Sequence, residues 1–474
     1  MPVIPSPAHS FQDCQSLHDF FVACQASVLE SEPVFWVSVT LRLPSVDPLA
    51  VLDALQLPQQ PSFYWEQPEE DTAIAALDSV ALLQVDGEQR FKQAQWFMER
   101  TLQHTITAGD TNLPFGGPHF FCSFTFFNET STVLPPYFPA ATVFLPRWQV
   151  TRHGNQSLLV ANVRLEAHLR PEHLTQEIWQ QWQRIKRLTP YVATPWNRSA
   201  LQLECPLIQE TDWFIQAVQS TLGAIAAGDL QKLVLAHALD VPTTTAIPVS
   251  HALNALRTRY QNCYVFAVSN GEGQTFLGAS PERLLKVTHR QLITDVLAGS
   301  APRGATLLED ASLGNQLLSS AKDVHEHQVV LEFIRTCLRQ LHLDPQQASF
   351  PHLLQLSNIQ HLRTLITATL PPSLHILEIL AALHPTPAVA GMPRTLAQDL
   401  LRRYETFERH LYAAPLGWVN TQGNGEFAVG IRSALINSTM TRLYAGAGIV
   451  AGSDPKRELA EIQLKLHTLL DALL

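Results

Sequence analysis

The stretch Ser319–Leu341 carries Val330, Phe333, Ile334, Cys337 and Leu341 at helical spacing, yet its acidic residues stand where such a helix should be apolar. At about 100° per residue, Glu326 falls between the directions of Phe333 and Val330, and Asp323 lies inside the same arc. A carboxylate on a core-facing stripe needs a cation, a proton or several donors. Either the tertiary structure supplies one, or the first turns overhang the core and leave both acids in water. A second stretch raises the same question. Asp454-Pro455 reads as a capping residue followed by a first-turn proline, with Leu459, Ile462, Leu466, Leu469 and Leu473 as the buried stripe behind it. Glu458, Glu461 and Lys465 form a line flanking that stripe. Alone, the line is a solvated i,i+4 pair of Glu461 with Lys465. Brought together, two acid-bearing helices make an oxygen-rich site for a hard cation such as Mg²⁺.

The rest of the chain predicts strands. Val34–Leu43 and Gln156–Leu165 are strand-like, and Phe115–Phe127 reads as turn residues leading into an aromatic core strand. Asp212–Ala227 has helical spacing closed by Gly228, and Gln231–Val241 follows as a strand. Cys263–Ser269 and Gln274–Gly278 flank Asn270-Gly-Glu-Gly273 as a hairpin. Strand runs first, then mixed strands and long helices, indicate an α+β fold. The 474 residues suggest two or three domains by default, with residues 185–200 as the best seam. The net charge of −10 argues against nucleic acid and anionic membranes as partners, so an anionic ligand must be drawn in by local cations. Six cysteines without a C-x-x-C pair read as reduced thiols. With no signal-like N-terminus and no apolar run of about 18 residues, the expectation is a cytoplasmic protein.

Read in order, several blocks carry a resemblance. They are Lys232-Leu-Val-Leu-Ala-His237, Phe276-Leu-Gly-Ala-Ser-Pro-Glu-Arg-Leu-Leu285, Asp295-Val-Leu-Ala-Gly-Ser-Ala-Pro-Arg-Gly304 and Lys322-Asp-Val-His-Glu-His327. His384-Pro-Thr-Pro-Ala-Val-Ala-Gly391, Phe427-Ala-Val-Gly-Ile-Arg432, Ala445-Gly-Ala-Gly-Ile-Val450 and the Glu458…Glu461…Lys465 helix complete the set. Together they resemble the chorismate-utilising enzyme family. The N-terminal part matches only loosely, at Phe115-Gly-Gly117 and Leu145-Pro-Arg-Trp148. The resemblance implies a large chorismate-binding (ADC synthase-like) fold of stacked antiparallel sheets surrounded by helices. Residues 1–200 would then complete the sheets and 201–474 form the catalytic region of one interwoven unit.

The same resemblance assigns roles. Lys232 matches the base that delivers water to C2 of chorismate, and Glu282 the acid that protonates the departing C4 hydroxyl. A lysine on an exposed edge strand and a glutamate paired with Arg283 are the plainer alternatives. Glu326 and Glu461 match direct Mg²⁺ ligands, and Asp323 and Glu458 hold its waters. Arg432 and Lys465 match groups that receive the substrate, with Gly299, His384, Ala388 and Gly446 also at substrate-binding positions and Gly448 as a further close-approach glycine. Ala298 stands where aminodeoxychorismate synthases carry a nucleophilic lysine, which disfavours that reaction. The His384-Pro-Thr-Pro387 and Ser300-Ala301 forms resemble the isochorismate synthases within the family, and salicylate synthase is the alternative. The implied partner is the small molecule chorismate, bound by a monomer or weak oligomer.

Overall fold

The computed structural model describes residues 11–473, apart from 12, 29–34, 130–136, 167–169, 194–195, 197–210 and 357–358. Part of the candidate seam, residues 194–195 and 197–200, therefore lies outside the described residues, as does Cys205. Two large sheets dominate. The twelve-stranded sheet runs Gly391–Met392, Lys232–Pro242, Met440–Ile449, Ser433–Asn437, Gln274–Ser280 and Tyr264–Ser269. It continues through Ser62–Gln67, Thr72–Leu77, Trp148–His153, Gln156–Leu165, Phe35–Leu43 and Thr105–Gly109. The second sheet runs from Gln346–Gln347 through Ile359–Thr369, Gln291–Pro302, Arg283–Thr288, Gly425–Val429 and Pro415–Asn420 to His119–Phe124, Ala141–Leu145 and Ala81–Val85. Each sheet thus joins strands from before and after residue 200, at Val265 opposite Glu66 and at Leu416 opposite Ser123.

The fold is α+β, with stacked sheets and helices around them. The pairings are antiparallel except Phe35–Leu43 with Thr105–Gly109, which run parallel. The two inner faces interdigitate through aromatic side chains: Phe63 of one sheet meets Phe121 of the other at 5.1 Å between ring centroids. That packing explains why many strands are buried along their whole length rather than on alternate residues. Among the described residues, no helix is long and apolar enough to cross a membrane. Cys14, Cys24, Cys122, Cys263 and Cys337 are free thiols, as their spacing predicts, though Cys14 is only half-buried.

Local expectations are met where turn chemistry is strong. The helix Asp212–Ala226 ends before Gly228 at φ +82°. In the hairpin, Asn270 Oδ1 accepts from the backbone N–H of Glu272 and Gln274, which closes the turn between Tyr264–Ser269 and Gln274–Ser280. Phe115 and Gly117 both take positive φ, and Gly117 N–H donates to Thr40 Oγ1 at 3.0 Å, so the aromatic strand is entered through an anchored turn.

The helix Ala321–Gln340, here the acidic helix, differs from expectation in its rotation. Leu331 and Leu338 are buried, whereas Phe333 and Leu341 are only half-buried. Arg394 lies over the Phe333 ring. The buried arc therefore centres near Ile334, which moves Glu326 from inside the arc to its rim and puts His327 within it.

One buried ion pair ties the end of the first sheet together. Arg409 donates to the Glu405 carboxylate, to Val389 O at 2.9 Å and to Val234 O at 2.8 Å. Glu405 also accepts from Ala236 N–H. The strand Lys232–Pro242 is thus stitched to the loop His384–Gly391. Replacing Arg409 with Met leaves the Glu405 carboxylate buried without its countercharge. The expected loss is about 3–5 kcal/mol, read as a lower urea midpoint.

Candidate active site

Lys232 opens a strand paired on both sides, with Gly391–Met392 and with Met440–Ile449. The plainer expectation, an ammonium in water at a sheet edge, is thereby removed: Lys232 is 2% exposed. Its Nζ donates to Glu326 Oε1 at 2.7 Å, and the Glu326 side chain is 16% exposed. Burial pushes the Glu326 carboxyl up, but the charge and hydrogen bond of Lys232, then Lys322 and Lys465, outweigh it and hold it below the usual glutamate range. Gly448 lies under this pair. A Cβ there would sit 3.0 Å from Lys232 Cε and 3.1 Å from Glu326 Oε1, so a side chain at this position would crowd the pair by a few tenths of an ångström.

The C-terminal helix, Pro455–Leu473, brings the second set of acids to the same strand end. Asp454 caps it, accepting from the N–H of Lys456 and Arg457. Lys465 Nζ donates to Gly446 O at 2.9 Å and pairs with Glu461 Oε1 at 2.6 Å, so the i,i+4 pair read from sequence is present. Glu458, by contrast, is buried. Burial and the like charge of Glu461 raise its carboxyl above the usual range, opposed by a Ser453 hydrogen bond and by Lys322 and Lys465. Lys322 and Lys465 thus act on Glu326 of one helix and on Glu458 of the other. Asp323 is held by the hydroxyl of Ser320, which caps the acidic helix.

These acids can be tested as a cation site. Among the described residues, no three His, Cys, Asp or Glu side chains close around a common point. Glu326 and Glu461 are each turned to a lysine. Mg²⁺, however, is commonly held by one or two carboxylates and retains several waters, so it needs no closed protein cage. Glu458 is buried beside the like charge of Glu461, an arrangement that a divalent ion would relieve. The donor set Glu326, Asp323, Glu458 and Glu461 fits.

Glu282 is buried and lies within electrostatic reach of Lys232. Its N–H donates to Ser280 Oγ and its carbonyl accepts from Val429 N–H, which fix it in the interior. Burial pushes the carboxyl up to about 7, with Lys232 opposing and Asp295 adding to the shift. The alternative pairing with Arg283 is not made: Arg283 goes to Asp295, which also holds Arg363.

Gly299, at φ +79°, is the extra residue of a bulge between Ala298 and Ser300. The bulge turns Ser300 Oγ to 2.7 Å from His361 Nδ1, while His361 Nε2 lies 3.4 Å from Arg432 Nη2. A guanidinium only donates, so Nε2 accepts and Nδ1 carries the hydrogen, with the Gly299 backbone as a hydrogen-bond partner. Burial, Arg432 and Lys465 push His361 down to about 3, which keeps the ring neutral beside two cations. Tyr412, whose hydroxyl lies 2.8 Å from where a Gly446 Cβ would be, borders the same space and feels the charge of Glu282.

Lys232, Glu282, Glu326, Asp323, Glu458, Glu461, Lys465, Arg432, Gly299 and Gly446 therefore cluster at one end of the two sheets. His384 does not join them through its side chain. Its ring is buried with Nε2 3.1 Å from Phe126 O, and burial drives it down to about 3. In place of a substrate-contacting side chain the structure has a core residue, its ring packed against Phe91 and Phe126. Ala388 is half-buried in the same loop, whose Ala390 O accepts from Val234 N–H. His361, Tyr412, Lys322 and His327 were not singled out by the sequence. Burial alternates strictly along Ile359–Thr369 and puts His361 and Arg363 on one face, but the apolar residues of that stretch do not alternate in the sequence, so no local signal pointed to His361.

The chain matches the family described as chorismate binding enzyme over residues 23–474. It is 34% identical over 468 residues to the salicylate biosynthesis isochorismate synthase of Pseudomonas aeruginosa, covering 95% of this chain and 92% of that protein. It is 30% identical over 456 residues to the isochorismate synthase MenF of Bacillus subtilis, covering 92% and 93%. Its fold aligns with MenF, the menaquinone-specific isochorismate synthase from Escherichia coli, at a TM-score of 0.77 and 27% identity over 97% of this chain and 99% of that one. The chain belongs to the chorismate-binding enzyme family.

Proposed function

We propose that this chain is a Mg²⁺-dependent isochorismate synthase, which isomerises chorismate to isochorismate. The observation that carries the reading is the pairing of two buried groups of opposite role, Lys232 and a Glu282 carboxyl pushed up to about 7, beside the cations Arg432 and Lys465. The names of the relatives support the same activity. Lys232, once it has given up its ammonium proton, accepts a proton from the water that adds at C2, and Glu282 gives a proton to the C4 hydroxyl as it leaves as water. The net reaction is an isomerisation, so the proton taken up at Lys232 balances the one lost from Glu282. Arg432 offers a planar pair of donors to a carboxylate, and Lys465 adds positive charge. Glu326 and Glu461 would ligate Mg²⁺ directly, with Asp323 and Glu458 on its waters. Bound there, the ion supplies the charge that holds the ring carboxylate. Residues 1–200 complete the sheets in this reading, and 201–474 carry the chemistry. The reading extends to a cytoplasmic enzyme acting as a monomer or weak oligomer.

Chromatography after incubation with chorismate tests the activity. The expected outcome is isochorismate without pyruvate or salicylate, lost in excess EDTA and restored by Mg²⁺. Released pyruvate would favour a salicylate synthase, and full activity in EDTA would remove the metal from the mechanism.

Glu282→Gln should bind chorismate yet lose about 10²–10⁴-fold in kcat. The acid works in its protonated form, and its pKa is raised, so wild-type kcat should fall as pH rises through about 7. The Gln variant should lack that limb in a kcat–pH profile.

Gly448→Ala places a methyl against Lys232 and Glu326. A displacement of that pair by a fraction of an ångström should lower kcat by about 10–100-fold, with the circular dichroism spectrum unchanged.

A further inference from the structure

His327 follows Glu326 on the acidic helix and is 3% exposed. Its Nδ1 lies 3.3 Å from Ala298 O and its Nε2 lies 2.8 Å from Thr364 Oγ1. A carbonyl only accepts, so Nδ1 carries the hydrogen and Nε2 accepts from the Thr364 hydroxyl. One ring thereby bonds the helix to two neighbouring strands, Gln291–Pro302 and Ile359–Thr369. Ala298 is the residue just before the bulge at Gly299. One turn earlier on the helix, Asp323 occupies the space that a Gly299 side chain would need: a Cβ there would meet Asp323 Cβ at 3.1 Å. Asp323 and His327 are an i,i+4 pair on one helix face, so the helix is fixed on the bulge at two points one turn apart. Glu326 projects from between these points, across to Lys232 of the other sheet.

The ring is not needed to fill an apolar gap there, because both of its nitrogens are engaged by polar groups of the strands. What it fixes is the height and rotation of the first two turns. Those turns carry Asp323 and Glu326, while the bulge they sit on carries Ser300 and faces His361 and Arg432.

We propose that His327 is a positioning residue, bolted to Ala298 O and Thr364 Oγ1, that sets Glu326 at once for Lys232 and for the divalent ion. This rests on the reading of Glu326 as a metal ligand. Groups that orient a metal ligand from behind typically account for about 10–100-fold in metal affinity.

Mn²⁺ serves as the probe, a divalent ion that carboxylate and water ligands also suit. Its binding is followed by the spin-resonance signal of the free ion, without chorismate. Amide hydrogen exchange over residues 323–331 of the metal-free protein gives a second readout. His327→Phe keeps a ring but neither hydrogen bond, and should weaken Mn²⁺ binding at least tenfold and speed exchange in this segment. Thr364→Val removes only the partner of Nε2 and should produce a smaller loss of both. His327→Asn retains a donor toward Ala298 O and should bind Mn²⁺ better than His327→Phe. The double variant His327→Asn/Thr364→Val should be no weaker than His327→Asn, since both changes delete one contact. Affinity within twofold of wild type in His327→Phe, or unchanged exchange in Thr364→Val, overturns the proposal. A merely structural histidine would lower the melting temperature while leaving Mn²⁺ affinity at low temperature unmoved, and that result also overturns it. Wild-type protein that takes up no Mn²⁺ would sink the metal reading instead. Exchange alone then decides the bolt: faster in Thr364→Val supports it, and unchanged overturns it.

Discussion

The contact on which the rest depends is the 2.7 Å bond between the Lys232 ammonium and the Glu326 carboxylate. Its two ends come from different layers: Lys232 from the first sheet, Glu326 from a helix laid on the second. A buried ion pair is a poor stabiliser, since desolvating both charges offsets most of their attraction. Its presence between two sheets is therefore better explained by what it does than by what it holds together. Much of the local architecture admits it. Gly448 leaves room beneath, the bulge at Gly299 seats the helix, and Arg409 fixes the strand from behind.

Around that pair, charge is distributed against the global field. The chain carries a net −10, yet Lys232, Lys322, Lys465 and Arg432 gather at one end of the sheets. Among them stand a neutral ring, His361, held down by burial and cations, and the Glu282 carboxyl, which burial raises to about 7. In the proposed reaction an anionic substrate finds cations to receive it, while the group that gives a proton holds it up to about pH 7. Same-type side chains are thus pushed to different roles by surroundings. Glu282 is raised by burial, whereas Glu326 is lowered because the charge and hydrogen bond of Lys232 outweigh its burial.

The sequence was informative wherever chemistry is local. Asp454-Pro455, Gly228 and the Asn270–Gly273 turn act through their own backbones, and the corresponding helix ends and hairpin are present. It was less informative about rotation and facing. The apolar spacing of the acidic helix put Glu326 inside the core arc, but packing on the bulged strand moved it to the rim and brought in His327. His384 stood in a block that resembles a substrate-binding segment, yet its ring turns to Phe126. His361 went unnoticed because nothing within a few residues of it marks a strand histidine as facing Arg432, which lies 71 positions on.

What the sequence by itself determined is which side chains are available, which stretches form strands and helices, and that several acids stood where burial would demand a compensating charge. Those follow from hydrophobic period, capping and the cost of burying a carboxylate, all properties of short segments. Only the tertiary structure decided which cation meets which acid, since Lys232 reaches Glu326 across 94 residues while Glu461 keeps its neighbour Lys465. Distance in space sets an electrostatic interaction, and distance along the chain does not report it.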